Sequence, residues 1–221
     1  MRAIGLLGGS FDPVHTAHLA MADAFALALA LDEVRFVPAS LPWQKHGLLA
    51  TGAQREAMLA AALLQHRAPR GVYTIDSREL QREGKTYTID TLEELRRELG
   101  TGVSLVFLLG ADQLVHLDGW KDWRRLWTYA HLAAATRPGF DAGALPDEVA
   151  KEWAVRLGNA QALHSQASGR SYLLDHFSHD ISATDIRSAL AAGDVAAIDV
   201  SSRLVPSAVL DYIRAHRLYR S

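Results

Sequence analysis

The residues best suited to chemistry are two histidines three positions apart, His15 and His18, which follow a glycine pair, Gly8 and Gly9. Ser10, Phe11, Asp12, Pro13 and Val14 separate the glycines from His15. Two glycines let a backbone approach a ligand with no Cβ in the way. Imidazoles three apart at a helix start face the same point. The start of a helix also offers N–H groups and the positive end of the dipole, which favour an anion. A Gly-Gly turn alone is common, and a lone histidine at a helix start is most often a cap or a solvated side chain. Their conjunction within Gly8 to His18 points to phosphate handling.

A second group lies far downstream, in Ile181-Ser182-Ala183-Thr184-Asp185-Ile186-Arg187. Ser182 and Thr184 are good helix caps, and capping alone would account for them. Arg187, three after Thr184, points to the same side. Two hydroxyls and a guanidinium at a helix start make a second phosphate cradle. Cradles at opposite ends of a chain imply a polyphosphate ligand and a fold that unites them. No lysine follows the glycine turn as in a P-loop. The chain has no cysteine and no Gly-x-Ser-x-Gly element, which leaves direct displacement at phosphorus rather than a covalent intermediate.

The elements that must position these groups read as alternating strands and helices. Ala3–Leu7 is a first strand, Leu19–Leu31 a helix rich in alanine and leucine, and Glu33–Pro38 a second strand. This βαβ unit is expected to be right-handed. Pro38–Gly47 reads as a loop at the strand's C-terminal edge, where ligands bind in open α/β sheets. Lys45 there is either a solvated lysine or a phosphate contact. Thr51–Gln65 is a helix capped by Thr51, and its Arg55 is a surface or loop-bracing residue. Val72–Asp76 is a strand, Ser77–Tyr87 an irregular polar segment, and Thr88–Leu99 a helix with Thr88 as its cap. Val103–Leu109 is apolar throughout and expected to be central. Gly110 and Asp112 follow it, with Asp112 suited to ribose hydroxyls or to capping.

Trp123 and Trp127, four apart, are expected to pack on one helix face, whereas Trp120 sits before that helix on a loop. An aromatic so placed can stack on a pyridinium ring. His131–Thr136 is a strand, followed by Arg137, which either reaches a phosphate or braces its loop. Asp141–Gly158 holds a connecting loop and an amphipathic helix with Trp153 and Leu157 on one side. The polar Ala160–Arg170 reads as a mobile loop. Tyr172–Phe177 is the last strand, Ile181–Ala191 leads into a helix, and Pro206–Leu218 is a helix with Val209, Leu210 and Ile213 apolar.

Composition narrows the class. The chain has 221 residues, 49% of them hydrophobic, with a formal charge of −2. That suits one α/β domain over 1–221, including a helical part from about residue 182, and gives no basic field for nucleic acid. No apolar run reaches the roughly 20 residues a membrane span needs, and no signal-peptide pattern opens the chain. A soluble cytoplasmic protein is expected, with no membrane partner and with a homo-oligomer left open.

Gly8 to His18 resembles the GG(S/T)FDPxHxGH motif of the nucleotidyltransferase superfamily related to class I aminoacyl-tRNA synthetases, with Ala17 where the family usually has glycine. Ile181 to Arg187 resembles that superfamily's ISxTxxR element. The order and spacing, from Arg2 to Tyr219, are most similar to the bacterial nicotinate-nucleotide adenylyltransferase family. The resemblance implies a Rossmann-like, doubly wound, mainly parallel sheet with helices on both faces. It implies adenylyl transfer from ATP to nicotinate mononucleotide, with Mg²⁺ carried mainly by the ATP phosphates and no dedicated protein metal cage. Gly8, Gly9, Ser10, Phe11, His15, His18, Gly110, Asp112, Ser182, Thr184 and Arg187 would then bind ATP, with His15, His18 and Arg187 catalytic. The acceptor side would use Lys45, Arg137, the helix start at Thr88, the Trp120 ring and the backbone N–H of Lys121. The family often carries a histidine in the loop after the second strand; Pro42-Trp43-Gln44-Lys45 does not match it. Other readings are a related enzyme using nicotinamide mononucleotide or phosphopantetheine, a non-catalytic nucleotide sensor, and a tRNA synthetase fragment. The last lacks a KMSKS-like loop and a basic RNA face.

Overall fold

The computed structural model describes residues 1–42, 49–137, 139–175, 177, 181–192 and 204–220, with backbone alone at 41 and 42. Its strands are β1 (Arg2–Gly9), β2 (Glu33–Pro38), β3 (Leu41–Pro42), β4 (Val72–Ile75), β5 (Lys85–Thr86), β6 (Val103–Gly110), β7 (His131–Ala135) and β8 (Ser171–Leu174). Its helices are α1 (Thr16–Ala28), α2 (Gly52–Gln65), α3 (Thr88–Leu99), α4 (Leu126–Tyr129), α5 (Asp147–Arg156), α6 (Ala160–His164), α7 (Ala183–Ala192) and α8 (Ser207–Ala215). Six strands form one parallel sheet in the order β4-β2-β1-β6-β7-β8. The chain therefore reverses its winding between β1 and β6. In such sheets the crevice for a ligand opens at the C-terminal ends of those two strands.

Both faces of the sheet are covered, as its apolar strands require. Ala3 and Leu7 of β1, with Val106 and Leu108 of β6, join Phe25 of α1, Met58 of α2 and Val209 of α8 on one side. Ile4 and Leu6, with Leu105 and Phe107, join Leu92 of α3, Trp127 of α4 and Trp153 of α5 on the other. This alternation follows from the two-residue period of a strand. Helix α8 buries Val209, Leu210 and Ile213, the face its sequence pattern predicts.

Several expectations need correction. Helix α1 begins at Thr16 and ends at Ala28, three residues earlier at each end than the apolar run. Helix α3 takes Tyr87 at its cap position, so Thr88 is its first residue. The irregular segment from 77 to 87 contains a 3₁₀ turn at Ser77–Glu79 and the short β5, paired with β3. Strand β8 spans Ser171–Leu174, so Phe177 lies outside it. Leu157 lies just past α5 and is 54% exposed, unlike Trp153 at 6%.

The stretch from 160 to 170 is ordered rather than a mobile loop. It contains α6, and Leu163 is buried. Its backbone satisfies the polar groups around it: Ser104 Oγ donates to Leu163 O at 2.8 Å and Arg96 Nη2 to Ala167 O at 2.6 Å. The same Arg96 guanidinium donates to Tyr129, Gly100 and Val103 carbonyls.

His131 completes this arrangement. Its Nδ1 accepts from Arg170 N at 2.9 Å, so Nε2 carries the proton and donates to Gln166 O at 3.0 Å. A second proton would face the Arg170 N–H. Burial, with Arg96 nearby, therefore holds the His131 pKa below its usual value. The unfolded histidine, near 6.5, takes up a proton first as pH falls. The stabilisation is present above about pH 6.5 and is lost as pH drops below it toward the folded value. Melting temperatures between pH 7.5 and 5 should fall for the native chain. His131→Gln, which cannot titrate, should start lower and show a shallower slope over that interval.

Candidate active site

A cleft of about 760 Å³ opens where β1, β2 and β6 end. Gly8, Gly9, Val37, Leu109 and Gly110 supply its floor, with His15 and His18 on one wall and Ser182, Thr184 and Arg187 on another.

The first cradle is built on the β1–α1 turn. His15 occupies the cap position of α1, and its backbone N donates to His18 Nδ1 at 3.2 Å. That bond assigns the neutral His18 proton to Nε2. The two rings stack with centroids 3.7 Å apart, and the Phe11 ring meets His18 edge-on at 4.9 Å. Phe11 is fully buried and supports the cleft from beneath instead of lining it. Its φ is +48°, and a Cβ at Gly9 would sit 2.9 Å from its ring. Gly9 is therefore fixed by Phe11, whereas a Cβ at Gly8 would meet only Phe107 ring atoms, at 3.5 Å. Ala17 is buried inside α1 and borders the cleft.

The second cradle reaches the first directly. Arg187 Nη1 donates to Asp12 O at 2.7 Å, and Nη2 donates to Thr184 Oγ1 at 3.1 Å. Ser182 is the true cap of α7, its Oγ accepting from Thr184 N at 3.2 Å. The guanidinium of Arg187 thus closes on the turn that leads into His15 and α1.

Glu79, Thr86, Thr88, Thr91, Trp120 and Arg137 also line the cleft, as do Gly110 and Asp112. Trp120 packs edge-on against Phe107 at 6.1 Å. Trp123 and Trp127 are buried against each other at 6.2 Å, but not on one helix face as expected, because Trp123 sits on a 3₁₀ turn just before α4. Asp112 Oδ2 accepts from Gln113 Nε2 at 2.7 Å. Lys121 is not among the lining residues, and its Nζ donates to Asp90 at 2.9 Å over the Tyr87 ring. The resemblance calls only on its backbone N–H. Lys45 and Trp43 lie outside the described residues.

Three groups carry more weight here than their sequence context suggests. Of the two readings of Arg55 the loop-bracing one holds: it is 1% exposed, and its guanidinium donates to the Ser10 and Ser40 carbonyls at 2.7 and 3.2 Å. Burial lowers its pKa, and Asp12 opposes the shift. Asp12 is equally buried and accepts from Leu49 N, Ala50 N and the Tyr219 hydroxyl. Glu79 borders the cleft; burial pushes its carboxyl above the ordinary range, and the Thr91 hydroxyl, donating at 2.6 Å, only partly offsets this. The available signal was a carboxylate, Asp12, inside the glycine motif.

The family described as cytidylyltransferase-like matches residues 6–189. The chain is 48% identical over 222 residues to "Probable nicotinate-nucleotide adenylyltransferase" of Herminiimonas arsenicoxydans, covering 100% of this chain and 98% of that protein. The chain belongs to the nicotinate-nucleotide adenylyltransferase family. A protein of the same name in Laribacter hongkongensis is 49% identical, over 99% of this chain and 95% of its own length. The solved structure of Plasmodium falciparum nicotinic acid mononucleotide adenylyltransferase complexed with NaAD has the same fold, with a TM-score of 0.76 at 20% identity. The overlay covers 99% of this chain and 98% of that one. The Rossmann-like sheet is thus a family property as well as a physical one.

Proposed function

We propose that the cleft transfers the adenylyl group of ATP to nicotinate mononucleotide, giving deamido-NAD and pyrophosphate. The observation that carries this reading is the Arg187–Asp12 contact, which brings both phosphate cradles to one point. An oxygen of the mononucleotide phosphate attacks the α-phosphorus in line. The bond from that phosphorus to the bridging oxygen breaks, and pyrophosphate leaves. The attacking phosphate is already ionised, so no general base is required. Catalysis is positioning plus stabilisation of charge on the α-phosphate.

Each residue then has a distinct task. The His18 Nε2–H and His15 donate to the triphosphate and to the developing charge. Arg187, Ser182 and Thr184 hold the β- and γ-phosphates, and the remaining N–H groups of Arg187 are available for this. Gly8 and Gly9 let the triphosphate approach the backbone, with Ser10 and Phe11 holding that turn. Gly110 and Asp112 take the adenosine ribose. Trp120 stacks on the pyridine ring, while the α3 start at Thr88 and the Lys121 backbone N–H take its carboxylate. Arg137 and Lys45 take the acceptor phosphate. Among the described residues no cluster of three or more His, Asp or Glu side chains is placed to hold a metal. Mg²⁺ would be held mainly by the ATP phosphates and by water, neutralising their charge. No helix among the described residues is long and apolar enough to cross a membrane, and a reaction that consumes ATP belongs in the cytoplasm.

The test is release of pyrophosphate from ATP and Mg²⁺ with three acceptors in parallel. Nicotinate mononucleotide should be used fastest, one pyrophosphate appearing per dinucleotide formed. A preference for nicotinamide mononucleotide or phosphopantetheine would reassign the acceptor. Nucleotide binding with no pyrophosphate from any acceptor would make the protein a sensor.

A further inference from the structure

Asp12 is a node between parts of the chain that are remote in sequence. Its carboxylate accepts from Leu49 N at 2.9 Å and Ala50 N at 3.2 Å, fixing the end of the segment that follows β3. Its backbone carbonyl accepts from Arg187. The remaining partner comes from the far end of the chain: the Tyr219 hydroxyl donates to Asp12 Oδ1 at 2.6 Å, across 207 residues.

Tyr219 lies beyond the span that the family pattern matches, which stops at residue 189. It is nevertheless 7% exposed and packs in the same cluster as Phe11 and Val14. The tail bends sharply to put it there. Arg217 and Tyr219 have φ of +51° and +60°, and Leu218 N donates back to Ile213 O at 3.0 Å. Non-glycine residues hold such backbone angles only where the surroundings fix them. The hydroxyl and the buried ring are what fix this one. Tyr219 does not line the cleft, so it acts on the reaction only through what it holds.

We propose that Tyr219 is a positioning residue for adenylyl transfer. Its hydroxyl orients the Asp12 carboxylate. Asp12 in turn sets the carbonyl that receives Arg187 and the turn that leads into His15. A shift of about 1 Å at this node would move the guanidinium relative to the turn that leads into His15, and a misplacement of that size far from the chemistry costs up to about 10²-fold in rate.

This inference rests on the activity proposed above, and Tyr219→Phe in the full-length chain tests it. Phenylalanine keeps the ring and removes only the hydrogen bond. The expected result is a kcat about tenfold lower with the KM for ATP and for nicotinate mononucleotide changed by less than about twofold. Amide hydrogen exchange at Leu49 and Ala50 should quicken, while that of Val209 and Leu210 in α8 stays as in the native chain. A native kcat per folded molecule, or unchanged exchange at Leu49 and Ala50, overturns the proposal. If the variant is partly unfolded at the assay temperature, kcat per folded molecule at a lower temperature decides in the same way. A native chain that releases no pyrophosphate defeats the functional reading instead, and the exchange measurement still decides whether Tyr219 holds the node.

Discussion

His18→Ala should lower kcat by on the order of 10²–10³ while KM for ATP changes far less. His18 lines the cleft, and its Nδ1 accepts from His15 N, so the proton sits on Nε2, the donor that the proposed mechanism uses. A preorganised donor of this kind acts where charge grows in the transition state, which is why the loss falls on kcat. The fold should tolerate the change. It removes the bond from His15 N, worth about 1 kcal/mol, the stack on His15 and the edge contact with Phe11. For a chain of this size that corresponds to a Tm shift of roughly 2–4 °C per kcal/mol. Steady-state pyrophosphate release and a thermal melt on the same sample separate the two effects. A kcat within threefold of the native value would remove His18 from the mechanism.

The second large effect belongs to Arg187. Arg187→Ala should cost on the order of 10²–10³ in kcat/KM for ATP, through lost charge on the β- and γ-phosphates. Arg187→Lys is the informative partner. A lysine restores the charge but not the fork that spans Asp12 O and Thr184 Oγ1. An ammonium is a compact point charge, so it should recover only about tenfold of the loss. Full recovery with lysine would mean that charge alone matters and that the contact between the cradles is incidental.

The parts of this molecule that could be read from its residues are those with local causes. The central strand β6 follows from a run that is apolar but for Ser104, and the cap at Thr51 from a hydroxyl followed by Gln54, whose side chain returns to the Thr51 N. The alliance of Thr184 with Arg187 follows from helical spacing. The start of α1 was less legible, because histidine is not a usual cap and the apolar run begins only at Leu19.

What stayed hidden has non-local causes. The segment from 160 to 170 is polar by composition, but its carbonyls are what Arg96, Ser104 and His131 need, and those partners are 35 to 71 positions away. Arg55 could be read as a brace, but the carbonyls it braces, those of Ser10 and Ser40, are 45 and 15 positions away. Nothing near Tyr219 signals that it will meet Asp12. On the acceptor side, Glu79 and Thr91 enter the cleft from a stretch without a recognisable motif.

The junction of Arg187 with the Asp12 carbonyl also bears on synthesis by the ribosome. The glycine turn and both imidazoles emerge early, but the guanidinium follows His18 by 169 positions. At roughly 5–20 residues per second, that interval is on the order of 10 s. A nascent chain shorter than this carries half of a triphosphate grip and none of the closure. On the roles proposed for these residues, products stalled before Arg187 would lack the second cradle and would not turn over ATP.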